Sequence, residues 1–159
     1  MGIVGRKDEI EILSSCLDSK ESRLIALTGR RRVGKTYLIR EYFGHKSKFE
    51  IAGLHDGTYR EQLSHVYTTV KNHKLKESKL YVPENWMEAF DLIKEYLNTL
   101  KGTNKKVIFI DEIPWMDTPK SGFMMALEHF WNTWASARKD IKLIIFNILK
   151  NVLIVVIGY

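Results

Sequence analysis

The strongest constraint on this chain is one short run, Gly29-Arg-Arg-Arg-Val-Gly34-Lys35-Thr36, which fits the pattern G-x-x-x-x-G-K-[ST] at every fixed position. An apolar segment of strand length, residues 24–28, leads into it, and a segment readable as a helix, residues 34–43, follows. The physical chemistry of anion binding explains each fixed residue. Glycines let the backbone turn sharply and bring its N–H groups to one centre. The amides of Val33, Gly34, Lys35 and Thr36 then face an anion, aided by the positive end of the following helix. Lys35 neutralises charge between the β- and γ-phosphates of a nucleotide, and the Thr36 hydroxyl suits Mg²⁺. Arg30, Arg31 and Arg32 are less specific and read first as an exposed basic loop tip.

A loop of this kind needs a parallel sheet to carry it, and the rest of the chain supplies one. Residues 8–19 have helical spacing, with Ile10, Leu13 and Leu17 on one face. Residues 49–53 read as a second strand, 58–71 as a helix, and 73–79 as a Lys-rich turn. A helix opens at residues 83–86, with Asn85 or a neighbour as its cap, and runs to about Leu100. Residues 107–110 form the clearest strand, 123–138 a helix rich in Trp and Met, and 143–146 a fourth strand. Strands alternating with helices give βαβ units, hence a three-layer α/β sandwich with a mostly parallel sheet. Ligands of such sheets lie beyond the carboxyl ends of the strands.

The second motif falls at such an end. Asp111-Glu112 follows residues 107–110 directly. A carboxylate at Asp111 can hold Mg²⁺, usually through water, and Glu112 can polarise an attacking water as general base. The chain between Lys35 and Asp111 is long enough for helix, strand, helix and strand, which suits a sheet with another strand between the two motif strands.

Four stretches together resemble the AAA+-like P-loop ATPases of the STAND group, in particular the archaeal-type ATPase domain that is also widespread in bacteria. They are Ile3-Val-Gly5-Arg6-Lys-Asp-Glu9, residues 24–43 around the loop, residues 49–53, and residues 107–117 with Ile-Asp-Glu-Ile-Pro-Trp. The resemblance spans residues 3–146. It implies ATP rather than GTP, a P-loop NTPase fold, a role for Asp111 with Thr36 at Mg²⁺, and Glu112 as the catalytic carboxylate. It also implies a nucleotide site made of Gly29, Arg32, Val33, Gly34, Lys35, Thr36 and Tyr37, with Gly5 and Arg6 near the base. The chain departs from the family after the fourth strand, where a polar sensor segment and further elements are usual. Here an apolar run continues to Tyr159, and Asn147 is a poor match to the sensor. The expected organisation is therefore a partial ATPase domain over 1–146, without sensor or lid, and an apolar tail over 147–159, as in a truncated or frame-shifted relative. The link between Phe146 and Val152 is too short for a parallel crossover, so the tail either pairs antiparallel or extends a helix. An uncovered apolar tail favours self-association or a missing C-terminal partner domain.

Composition narrows the remaining classes. The formal net charge of +6 favours anionic partners: nucleotides, nucleic acid or membrane headgroups. The lone Cys16 excludes a disulfide framework, reads as a small core residue and fits a reducing, cytoplasmic setting. The apolar stretch 141–159 is interrupted by Lys142, Asn147, Lys150 and Asn151, so no membrane span is expected. His45, His55, His65, His73 and His129 lack metal-ligand spacing. Trp131 and Trp134, with Met116, Met124 and Met125, read first as core. Trp115 is weighed with them, as core or as part of a partner surface. The leading expectation is Mg²⁺-dependent ATP hydrolysis coupled to conformational change. Beside it stand a nucleotide-binding module with little or no hydrolysis and a DNA-associated ATPase fragment acting through its basic surface.

Overall fold

The computed structural model describes residues 7–28, 35–73, 80–147 and 153–157. Five strands form one sheet in the order β2-β3-β4-β1-β5, where β1 is Arg23–Thr28, β2 Ser47–Ala52, β3 Lys106–Asp111, β4 Ile141–Asn147 and β5 Leu153–Ile157. The first four are mutually parallel. The central strands β3 and β4 are buried on both faces, as parallel strands must be when helices cover both sides, whereas the edge strand β2 buries only Phe49 and Ile51. Along β3 the alternation divides the core: Val107 and Phe109 face one side with α1 (Lys7–Asp18) and α2 (Lys35–Phe43), through Leu13, Cys16, Leu17, Ile39 and Phe43. Ile108 and Ile110 face the other side with α3 (Tyr59–His73), α4 (Trp86–Thr99) and α6 (Phe123–Phe130). The three-layer α/β sandwich expected from the strand and helix pattern is thus the observed one. Cys16 lies in the core, where burial pushes its thiol pKa up.

Local signals set the helix ends. Thr58 and Glu61 form a reciprocal capping box before α3, the Glu61 N–H donating to Thr58 Oγ1 and the Thr58 N–H to Glu61 Oε2. Asn85 caps α4 as expected, accepting from the Glu88 N–H at 2.9 Å.

Two sequence expectations need correction, and one open alternative, that of the tail, is decided. The helix expected over 123–138 is α-helical only through Phe130; Trp131–Ala135 widens into a π-helical turn, with the Ser136 N–H reaching Trp131 O. That turn keeps the bulky Trp131 and the small Ala135 both buried. Met116 is core, but Met124 and Met125 are exposed, because Phe123, Leu127 and Phe130 already fill the inward face of α6 at i, i+4 and i+7. The tail does not extend a helix: β5 pairs antiparallel with β1, from Leu24↔Ile157 to Thr28↔Leu153. A short link permits only that reversal. Among the described residues, no helix is long and apolar enough to cross a membrane.

At the opposite pole an ion-pair cluster joins the starts of β3 and β4. Lys106, only 3% exposed, donates to Asp140 Oδ2 at 2.5 Å, and Arg138 reaches both Asp140 oxygens at 2.9 and 2.7 Å. Burial alone would raise the Asp140 pKa; hydrogen bonds and charge from Arg138 and Lys106 outweigh it and hold the carboxyl at about 2. Because the folded value lies below the unfolded one, the stabilisation is complete above the usual carboxylate range. It is lost as pH falls through about 2. The increment is about 2 kcal/mol. Asp140→Asn leaves the Lys106 ammonium buried without its carboxylate and is expected to cost about 3 kcal/mol at neutral pH. Urea titrations of the two proteins should give midpoints that converge as pH falls; a gap that persists in acid would contradict this assignment.

Candidate functional site

The parallel strands deliver their carboxyl ends to one mouth. β1 ends at Thr28, just before the loop, and α2 begins at Lys35, just after it. Of the expected nucleotide residues, Gly5, Arg6, Gly29, Arg32, Val33 and Gly34 lie outside the described residues. Lys35, Thr36 and Tyr37 form the first turn of α2, and Tyr37 is exposed.

Asp111 is the last residue of β3. Ile110 is level with Ile145 of β4, and Ile145 with Ala26 of β1, so Asp111 stands one step short of Thr28 along the strand direction. A single strand, β4, separates β3 from β1, as the spacing between the two motifs suggested. Two inter-strand spacings amount to about 10 Å. The end of β1 and the acidic pair therefore share the mouth and do not lie on opposite edges of the sheet.

The acidic pair is held from several sides. Asp111 Oδ1 accepts the Glu112 N–H at 2.7 Å. Glu112 adopts the left-handed conformation, φ 54° and ψ 39°, and precedes the short helix α5 (Ile113–Met116). Backbone at positive φ is uncommon outside glycine and collects at functional sites. Here its surroundings impose it. The Trp115 N–H donates back to Glu112 O at 3.1 Å, and the Gly53 N–H donates to Asp111 O at 3.0 Å, extending the β2–β3 ladder. Gly53 is needed at that point for close approach: a Cβ there would sit 2.5 Å from Glu112 O.

Gln62 completes the support. It is 2% exposed and projects from the first turn of α3. Its Oε1 accepts the Leu54 N–H at 2.8 Å, and its Nε2 donates to Leu54 O at 2.7 Å and to Trp115 O at 3.3 Å. One amide thus fastens the loop after β2 to the turn after Glu112. The His55 ring lies 4.2 Å from that of Trp115 across the same seam. Sequence reasoning passed over Gly53 and Gln62. The available signal for Gln62 was a polar residue at i with apolar Val66 and Val70 at i+4 and i+8, on the inward face of an amphipathic helix.

Asp111 offers a hard oxygen donor of the kind Mg²⁺ takes, an ion that uses few protein carboxylates and keeps several waters. No group of three or more His, Cys, Asp or Glu side chains gathers among the described residues. The donor set fits Mg²⁺ shared with a phosphate better than a metal held by the protein alone.

Comparison with known proteins agrees with this architecture. Residues 21–145 match the family described as AAA domain. An uncharacterised protein of Methanocaldococcus jannaschii is 29% identical over 114 residues, covering 70% of this chain and 22% of that protein. An uncharacterised ATP-binding protein of the same organism is 46% identical over 43 residues, covering 27% of this chain and 73% of that protein. The solved Walker-type ATPase of Pyrococcus abyssi superposes with a TM-score of 0.54 at 21% identity, covering 91% of this chain and 45% of that one. The chain thus spans about a fifth of the length of the first relative and under half of the solved one. With the family match covering most of its length, this chain belongs to the AAA domain family.

Proposed function

We propose that this chain binds ATP with Mg²⁺ at the mouth of its parallel sheet and hydrolyses the β–γ phosphate bond. The observation that carries the reading is the position of Asp111-Glu112 with a single strand between β3 and β1, at the same pole as the start of α2. In this reading the amides of residues 33–36 and the N-terminus of α2 hold the β-phosphate. Lys35 neutralises charge between the β- and γ-phosphates, and Gly5 and Arg6 lie near the base. Thr36 and Asp111 would hold Mg²⁺, which would supply neutralisation of the phosphate charge. Glu112 accepts a proton from water as the water oxygen bonds to the γ-phosphorus. The bond from that phosphorus to the bridging oxygen breaks, and ADP leaves with inorganic phosphate.

The support for ATP is the full loop pattern, membership in the AAA domain family and the ATP-binding relative. Coupling of hydrolysis to conformational change belongs to the same proposal. The loop after β2 and the turn after β3 are joined through Gln62, so a change at Glu112 would be felt in α3.

Calorimetric titration with Mg-ATP tests the binding. Lys35→Ala removes one charged contact to phosphate and should weaken the Kd by about 10- to 100-fold. Equal heats for both proteins, or none for the wild type, would overturn the reading.

A further inference from the structure

We propose that the pole of the sheet opposite the nucleotide mouth is a docking surface for the phosphodiester backbone of a nucleic acid. The topology creates it. Four parallel strands start at that pole, and a lysine stands at or just before each start: Lys46 and Lys48 at β2, Lys105 at β3, Lys139 at β4 and Lys20 at β1. These five side chains line two adjoining grooves of about 450 and 380 Å³, which share Thr103 and Lys105.

The positive charge there is not cancelled locally. Only two carboxylates line the grooves, Asp18 and Asp140, and Asp140 is already taken by Lys106 and Arg138. None of the five lysines forms an ion pair among the described residues. Lys142 senses the same field from beneath. It is 1% exposed, donates to Ser19 O at 3.0 Å and to Glu21 O, and titrates at about 8, lowered by burial first and then by Lys105 and Arg23.

Shape and composition select the partner. Four strand starts span about 14 Å, more than a single phosphate covers and close to four phosphates of one nucleic-acid strand at about 3.4 Å each. No exposed aromatic lines either groove, so the contact is with the backbone and not with stacked bases. A lipid surface fits less well: the site is grooved, and none of the large exposed apolar residues lines it.

Fluorescence anisotropy with a labelled DNA duplex of about 20 base pairs, over about 50 to 200 mM salt, tests the assignment. About four neutralised phosphates give a slope of log K against log salt near −3.6. The triple variant Lys46→Gln, Lys48→Gln, Lys105→Gln, which removes the charge at two of the four strand starts, should flatten that slope by about 1.8 and weaken binding by tenfold or more at low salt. Arg30→Gln with Arg31→Gln, in the phosphate loop, should leave the slope unchanged. Protection of Lys46, Lys48 and Lys105 from acetylation by bound duplex, read by mass spectrometry on the wild type, supports the site independently of any variant. Absence of salt-dependent binding, a slope unaltered in the triple variant, or loss of binding in the arginine variant instead would overturn it. So would lysine-dependent binding to phosphatidylserine vesicles with none to DNA. Because none of these readouts needs ATP, the outcome stands apart from that of the nucleotide titration.

Discussion

Replacing Glu112 by Gln is expected to lower the rate of phosphate release by about 10²–10⁴-fold while leaving Mg-ATP affinity close to that of the wild type. The substitution is nearly isosteric. It keeps the backbone at φ 54° and the bond from the Trp115 N–H to Glu112 O, so the turn that presents the side chain survives. It removes only the capacity to take a proton. The groups proposed to hold phosphate and Mg²⁺, Lys35, Thr36 and Asp111, are untouched, so binding persists. Steady-state phosphate release beside calorimetry separates the two quantities. If the Gln variant turns over as fast as the wild type, Glu112 is not the base. If the wild type binds Mg-ATP and releases phosphate no faster than buffer, the chain is a nucleotide-binding module and the hydrolytic half of the proposal fails.

Gln62→Met should have the larger structural effect and reach the same chemistry by another route. Methionine matches the length of glutamine but offers no amide. The Leu54 N–H and the carbonyls of Leu54 and Trp115 lose their partner in a largely buried seam. Each buried polar group left unpaired costs about 1–3 kcal/mol, so a total loss of about 3–5 kcal/mol is expected in urea denaturation. Under conditions where the variant remains folded, the turn after Glu112 is no longer tied to the loop after β2. A misplacement of about 1 Å at a reacting group can cost 10²-fold, so kcat should fall by at least about tenfold with the Kd for Mg-ATP little changed. A variant as stable as the wild type, with kcat intact, would show that the bracket does not position Glu112.

What could be read from the sequence was whatever depends on local chemistry or on a repeating pattern. The pattern at 29–36 stands out because the phosphate binding proposed for it would fix glycine, lysine and hydroxyl at set spacings within one turn. Strands β3 and β4 are legible because strands buried on both faces must be apolar throughout, and Asn85 because a cap satisfies N–H groups only three residues away. The chain between the two motifs left room for a separating strand, but the strand that fills the gap, β4, comes from beyond both motifs, and the strand between them in sequence, β2, lies at the edge.

The tertiary structure decided whatever depends on contacts between segments distant in the chain. The need for glycine at position 53 comes from the carbonyl of Glu112, 59 residues later, and Gln62 gains its role only when Trp115 O arrives beside it. The π-helical turn at Trp131–Ala135 and the exposure of Met125 depend on which faces neighbouring elements leave to fill. The row of lysines across one pole is scattered from Lys20 to Lys139 in sequence and becomes a surface only because parallel strands all begin on the same side. Periodicity and spacing report a residue's own turn or strand. Position across a sheet is set by pairing energies summed over the whole core, which no local window contains.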